Sequence, residues 1–150
     1  MAQVLDFRTC QSFGVEPNTP GSPLAIPPAI PTYIGAIGLT VGPATAIRVS
    51  LWTTLGLNNI SAEAALVKFL IARNLEPVEI FVRHKVFYVA FQDLKPADYL
   101  TTVTLHAIDL NPLPEALPGQ INYSLFAQEQ TGLTVLRSSP EIFSGMALTD

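Results

Sequence analysis

From Tyr33 onward, apolar and polar side chains alternate along short stretches of the chain, and turn-forming residues separate these stretches. The clearest stretch is AIRVSLWTTL, in which Ile47 and Val49 fall on one face and Arg48 and Trp52 on the other. A repeat of two residues is the period of a β-strand. A series of short strands with turn signals between them predicts an all-β fold, a sandwich or barrel.

Several other segments show the same pattern. A high content of Thr, Val, Ile and aromatic residues predicts strands in TYIGAIGLTV, YLTTVTLHAIDL and INYSLFAQEQ. The segment EPVEIFVRHKVFYVAF is long enough for two strands or one bent strand. In TVLRSSPEIFSGMAL we predict an interruption at Pro140, because proline cannot donate a ladder hydrogen bond. Pro96, between Asp93 and Asp98, predicts a turn.

Residues 61–74 fit two structures. Ser61 is suited to cap a helix, and the alanine-rich composition favours one. Alternation fits as well, with Ala65 and Val67 facing inward and Leu66 outward. We predict a strand, because the neighbouring segments are strands and agreement between levels of structure favours one fold.

The N-terminal part of the chain is rich in proline. Six of the 13 prolines fall in the segment EPNTPGSPLAIPPAIP, where fixed φ and missing amide donors favour an extended polyproline conformation. We therefore predict an arm over residues 1–16, a spacer over 17–32 and a sandwich domain over 33–150. The arm fits either a strand or a frayed tail. At about 3.1 Å per residue the spacer reaches on the order of 45 Å, enough to carry the first dozen residues away from their own domain.

The composition is apolar for a soluble domain. Hydrophobic residues make up 49% of the chain and charged residues 13%, with a mean hydropathy of +0.37. We expect part of this apolar surface to meet another protein. No stretch of about 20 consecutive apolar residues occurs, so no membrane insertion is predicted. The first residues, MAQVLDFRTCQSF, lack the basic start and apolar stretch of a secretory signal.

Charge and chemistry point away from several functions. The net charge is −4, and the eight Lys and Arg residues form no basic stripe, so nucleic acid is not an expected partner. Ser124, His106 and Asp109 could be written as a catalytic triad, but Ser124 has no Gly-x-Ser-x-Gly elbow around it. With His84, His106 and a single Cys10, the chain offers few zinc ligands. We predict a protein that is not an enzyme and has no cofactor or metal.

The order of segments resembles small jelly-roll domains of bacterial endospore surfaces, including exosporium proteins and endospore appendage subunits. The similarity covers Ile47 to Gln128 and departs from the pattern at Ala97-Asp98, where the family has glycine. The residues that carry it are Arg73-Asn74, Phe91-Gln92-Asp93, Lys95-Pro96, Tyr99 to Leu105, Asn122, Ser124, Leu125 and Ala127. The resemblance implies a jelly-roll-like antiparallel β-sandwich behind a Pro-rich arm. It also implies an extracellular or spore-surface structural subunit made without Sec export.

We expect self-association, in which the arm adds a strand to a neighbouring copy and forms a surface fibre or layer. Apolar arm residues would fill pockets on the neighbour, Cys10 would be a plain thiol or a cross-link between chains, and the apolar outward faces of strands would be covered by sister copies. The residues expected at these contacts are Val4, Leu5, Phe7, Cys10, Phe13, Trp52, Leu66 and Leu70. The alternative is a lectin-like or receptor-binding module, with a trimeric tip as one form, that binds its ligand through Trp52 and loop residues 111–120.

Overall fold

The computed structural model describes residues 3–11, 25–42, 46–73, 86–110, 112 and 119–149. Within these ranges the regular structure is entirely β, with no helix. The strands are β1 Gln3–Gln11, β2 Ala25–Ile26, β3 Thr32–Thr40, β4 Ile47–Asn59, β5 Ala65–Arg73, β6 Val86–Leu94, β7 Thr101–Leu110, β8 Gln120–Glu129 and β9 Val135–Thr149. The all-β prediction is confirmed.

The strands form two antiparallel sheets. The first, the β9 sheet, has the order β1-β9-β4-β7, and β2 pairs with β9. The second, the β8 sheet, has the order β3-β8-β5-β6. Most consecutive strands therefore lie in different sheets, so the chain crosses repeatedly between the two layers.

The core lies between the sheets, as the alternation in the sequence predicts. Inward residues of β4 such as Val49 and Leu51 are fully buried, and so are Phe69 of β5 and Leu125 of β8. One cluster of buried side chains contains residues from both sheets. At Gly145 of β9 the layers are so close that an added Cβ would meet the Ile37 side chain of β3 and lie 3.3 Å from that of Leu39. The arrangement is β-sandwich-like.

The segment that fits either a helix or a strand forms a strand, as predicted. β5 begins at Ala65 and pairs on one side with β6 and on the other with β8. Ala65 and Val67 face the core, whereas Leu66 is half-buried on the other face. The two flanking strands supply ladder partners for Ala65–Arg73, so tertiary pairing outweighs the alanine content.

The predicted interruption at Pro140 is wrong, because β9 is continuous. Two consecutive residues of β4 pair with Glu141 and Ser138, so two residues of β9, one of them Pro140, stand outside the ladder as a bulge. A bulge is a position where the missing proline amide costs no ladder bond. It brings Arg137 beside Glu141, with Nε to Oε1 at 2.6 Å and a second bond from the guanidinium to Oε2 at 2.8 Å.

Part of the segment predicted as a spacer belongs to the folded domain. β2 pairs with β9, and its Ile26 is fully buried. Pro28 forms a bridge to Glu129, whose carbonyl accepts a hydrogen bond from the amide of Ala29 at 2.9 Å. Residues 25–29 of the predicted spacer thus pair with the sandwich. Residues 17–24 of the predicted spacer lie outside the described residues.

The predicted turn between β6 and β7 contains Pro96 and Ala97. Ala97 has a φ of +51°, in the left-handed region that favours glycine. Its amide donates to the carbonyl of Ser61 at 2.7 Å, and the amide of Asn59 donates to the carbonyl of Asp98 at 2.8 Å. These two bonds hold an alanine in the unfavourable conformation.

A buried polar cluster joins the two sheets at one end of the core. Asp109 of the β9 sheet lies 2.8 Å from Nε of Arg73 in the β8 sheet and accepts a hydrogen bond from the Tyr123 hydroxyl at 2.9 Å. The Arg73 guanidinium lies 5.3 Å from the centroid of the Phe87 ring. Burial and the neighbouring Asp109 charge raise the pKa of Tyr123 well above its usual value, so the phenol stays neutral.

Candidate interaction surfaces

The N-terminal arm lies along an edge of the β9 sheet. β1 pairs with residues 142–149 of β9, from Gln3 opposite Thr149 to Gln11 opposite Ile142. A bulge between Val4 and Asp6 shifts the register by one residue. Of the two alternatives for the arm, the described residues Gln3–Gln11 form a strand. In the single chain that strand pairs with its own β9.

Asp6 fastens the arm to the opposite sheet. Its Oδ2 accepts a hydrogen bond from the backbone amide of Thr40 in β3 at 2.9 Å, and Oδ1 accepts one from the amide of Phe7 at 2.9 Å. The Arg8 Nε lies 3.1 Å from Oδ2. The Thr40 amide, followed by Arg8 and the Phe7 amide, lowers the pKa of Asp6 against a smaller effect of burial. The Asp6 carboxylate therefore links β1 of one sheet to β3 of the other; we call this contact the seam between the sheets.

The other arm residues divide between the two faces of β1. Leu5 and Cys10 are half-buried and pack against the core, whereas Val4 and Phe7 are 55% and 57% exposed on the outer face. Cys10 is a free thiol, and its Sγ lies 3.1 Å from the position that a Cβ on Gly35 would occupy. The thiol thus points between the sheets and not toward the outer face. Phe13 lies outside the described residues.

Trp52 lies on the outer face of β4, as predicted, and is half-buried. Its ring is stacked on His106 of β7, with centroids 5.3 Å apart and planes 9° apart. One face of the indole is therefore already covered by the imidazole. Loop residues 111–120, predicted with Trp52 as a ligand-binding region, are described only at Pro112, Gly119 and Gln120.

Leu66 and Leu70 lie on the outer face of the β8 sheet, away from Trp52. Leu66 is half-buried, but Leu70 is only 7% exposed and belongs to a small cluster with Ala72 and Phe126. The Tyr33 ring packs edge-on against Phe126 at 5.9 Å. Leu70 is thus already packed within its own chain.

The outer face of the β9 sheet carries apolar side chains on β1, β9 and β7, and Arg48 and Ser50 of β4 lie between those of β9 and β7. The exposed apolar side chains include Ile108 and Leu110 of β7, at 51% and 71% exposure, together with Val4 and Phe7 of β1. The cross-strand register places side chains of β9 between these two edges. We define the outer patch as Val4, Phe7, Ile108, Leu110, Met146 and Leu148.

The residues that could be written as a catalytic triad do not meet. Ser124 faces outward on the β8 sheet, His106 faces outward on the β9 sheet, and Asp109 is buried between the sheets. Of the two acidic residues on either side of Pro96, Asp93 is exposed on β6, and Asp98 accepts a hydrogen bond from the Thr101 hydroxyl at 2.7 Å.

Among the described residues, no group of three or more His, Cys, Asp or Glu side chains is placed to hold a metal ion. His84 lies outside those residues. In the same part of the chain no helix is long and apolar enough to cross a membrane.

Sequence reasoning placed Trp52 on an outward face and named Val4 and Phe7 only as arm residues in contact with a neighbouring copy. It missed Ile108 and Leu110. The available signal was the outward phase of β7, which changes from Thr102 and Thr104 to these two apolar residues. The Asp6 contact gave no local signal, because its partner is 34 residues away along the chain.

No protein-family model matches the chain, and no curated protein matches it either.

Proposed function

We propose that this protein is a jelly-roll structural subunit that assembles with copies of itself into a surface fibre or layer. A jelly roll is a double sheet of eight strands. The strand orders β1-β9-β4-β7 and β3-β8-β5-β6 support that topology, with four strand positions in each sheet. The nine strands fill eight positions, because β1 and β2 follow one another along the same edge of β9 and together occupy one.

The observation that carries the proposal is the arm on the β9 edge. β1 is a terminal strand, and 13 residues that include three prolines separate it from β2. A neighbouring copy offers the same β9 edge, so an exchanged arm makes the contacts that it makes within one chain. Exchange of identical elements is a low-cost route to assembly, and strand addition satisfies the unpaired groups of an edge.

The connection between β1 and β2 is long enough for the arm to pair either within its own chain or with a neighbouring copy. Gln11 pairs with Ile142 and Ala25 with Leu136, six residues apart on β9, which corresponds to about 20 Å along a strand. Thirteen residues can extend to more than twice that distance, at roughly 3.3 Å each. The surplus allows the arm to reach a second copy.

Shortening the connection tests arm exchange without removing the arm. Deletion of residues 15–20 leaves seven residues between Gln11 and Ala25, enough to span about 20 Å within one chain but too few to reach a neighbour freely. We expect the full chain to form filaments in negative-stain micrographs and the shortened chain to form none. A control in which residues 15–20 become Gly and Ser at equal length should still form filaments. Filaments of unchanged length from the shortened chain would contradict arm exchange.

The resemblance to endospore proteins extends the proposal to location. A subunit of a spore coat or appendage would lie on the spore surface and leave the cell without Sec export. Immunogold labelling of intact spores tests this directly, and label confined to the cell interior would count against it.

A further inference from the structure

We infer that β7, which ends the β9 sheet on the side away from the arm, pairs antiparallel with β7 of a second copy of this chain. This pairing, the β7 contact, joins two β9 sheets into one continuous sheet. It rests on the proposed function, self-assembly, and adds a second contact to the one formed by the arm. The two contacts lie at opposite edges of the sheet, so either can fail without the other.

The four edges of the sandwich differ in regularity. The edge strands are β1 and β7 in one sheet and β3 and β6 in the other. The ladders of β1, β3 and β6 each contain a register shift, whereas the ten residue pairs of β7 with β4 run without one. Bulges at sheet edges protect them against pairing with another chain. β7 lacks that protection.

The sequence of β7 also lacks the residues that guard natural edge strands. Lysine and proline are the usual guards, and residues 99–110 contain no Lys, Arg, Glu or Pro. Their one acidic residue, Asp109, is buried beside Arg73. Among the described strands only β4 pairs with β7. Since every second residue of a strand turns its amide and carbonyl to one side, about five residues of β7 direct ladder groups at the open edge.

The regularity of β7 identifies its partner. A ladder continues only as far as both strands are regular, and β1, β3 and β6 of a second copy each carry a register shift. β1 and β3 are also tied to each other by Asp6 at the seam between the sheets. Of the four edges that a second copy presents, β7 is therefore the one that matches β7 over its full length.

Two exposed leucines set the register of the pair. Leu100, which immediately precedes β7, is 59% exposed, and Leu110 at the end of the strand is 71% exposed. Antiparallel pairing of a strand with its own copy has a two-fold axis perpendicular to the sheet. With Leu105 on that axis, Leu100 of each copy lies opposite Leu110 of the other. The exposed leucines then cover one another at both ends of the ladder.

The same register suits the side chains between the two ends. Leu105 packs against the core but is only half-buried, and in the pair the two Leu105 side chains cover each other. On the outer face Ile108 of the outer patch lies opposite Thr102, a β-branched pair of the kind that stabilises antiparallel strands. Asp109 lies opposite Thr101, so no two like charges face each other.

A ladder of this length is sufficient for an interface. Five hydrogen-bonded residue pairs with two bonds each give about ten backbone hydrogen bonds between the two copies. A typical protein–protein interface contains about ten direct hydrogen bonds. The β7 contact therefore supplies the polar part of an interface from backbone groups alone, and the leucines supply its apolar part.

Charge substitution at the two exposed leucines tests both the pairing and its register. L100K/L110K places lysine opposite lysine at both ends of the ladder, whereas L100E/L110K places glutamate opposite lysine. Within one chain the two positions are about 33 Å apart along the strand, too far to interact directly. In sedimentation velocity the shortened chain, which lacks residues 15–20, should form pairs. Its L100K/L110K variant should have half that mass, and its L100E/L110K variant should form pairs again.

The opposite edge of the same sheet supplies a matched control. Val4 and Phe7 of β1 are 55% and 57% exposed, so V4K/F7K makes an equal change of charge there. This control should keep the parent mass, and circular dichroism should show every variant folded. Hydrogen exchange of the shortened parent needs no substitution: on dilution the β7 amides should lose protection while those of β4 keep it.

The outcomes separate the β7 contact from arm exchange. A shortened chain that stays single at every concentration overturns the β7 contact, and so does a mass that is unchanged in L100K/L110K, not restored in L100E/L110K or lost equally in V4K/F7K. Such a result leaves arm exchange standing if the full chain forms filaments that shortening abolishes. Pairs of the shortened chain that follow the charge pattern support the β7 contact even if the full chain forms no filaments, a result that overturns arm exchange alone.

Discussion

The outer faces of the two sheets differ, although both sheets contribute their inner faces to one core. On the β8 sheet Phe126 and Leu70 are packed at 1% and 7% exposure, and exposed apolar groups, Val89 at 46% and Phe91 at 58%, lie on its edge strand β6. On the β9 sheet comparable side chains remain more than half exposed. Apolar composition alone therefore does not locate an interface. The informative feature is apolar surface that its own chain leaves uncovered.

The largest expected effect distinguishes packed from uncovered apolar groups. Phe126→Ala on the β8 sheet should reduce the free energy of unfolding by about 3–5 kcal/mol, because it leaves a cavity against Leu70 and Tyr33. Urea unfolding at equal protein concentration measures this. Self-association of the folded fraction should be unchanged, and a loss below about 1 kcal/mol would show that the cluster is not packed as described.

A second change concerns the turn that joins β6 of one sheet to β7 of the other. Ala97→Gly should raise the free energy of unfolding by up to about 1 kcal/mol, because the φ of +51° strains alanine but not glycine. Ala46→Gly, at an exposed position outside the left-handed region, is the control and should be neutral or destabilising. Destabilisation by Ala97→Gly would refute the assigned backbone conformation.

Truncation within the outer patch should affect folding least. Ile108→Ala should change the free energy of unfolding of the separated subunit by less than about 0.5 kcal/mol, because the side chain is half exposed there. It should nevertheless weaken association severalfold. Val89→Ala on the β8 sheet should leave association unchanged, and equal effects of the two variants on sedimentation would remove the contrast between the faces.

The pH dependence tests the seam between the sheets. Since the folded pKa of Asp6 lies below its ordinary value of 3.8, its contribution to arm attachment is complete above that pH and is lost as the pH falls through the folded pKa. The protection factors of β1 amides against hydrogen exchange should therefore fall below about pH 3.8 before those of β4. Asp6→Asn should flatten this difference, and β1 protection independent of acid in the native protein would contradict the Asp6–Thr40 contact.

The sequence was sufficient to predict most strands and their facing. The period of two in β4 and β5 correctly predicts that Val49 and Val67 face inward and Trp52 and Leu66 outward. Alternation is a local property, so it can be recognised without knowing which strands pair. The same pattern also indicated apolar outward positions.

Features set by distant partners were not predictable in this way. The bulge at Pro140 depends on the β4 register, and the ion pair between Arg73 and Asp109 depends on two strands from different sheets. Whether an outward residue is covered depends on the rest of the chain, which is why Leu70 and Ile108 were not distinguished. The left-handed Ala97 was also hidden, since alanine gives no sign of positive φ.

Sedimentation equilibrium of the unmodified chain over about 1–100 μM tests self-association most directly. We predict a weight-average mass above the 16.2 kDa of one chain that rises with concentration. A mass of 16.2 kDa at every concentration would contradict assembly through either the arm or the β7 contact.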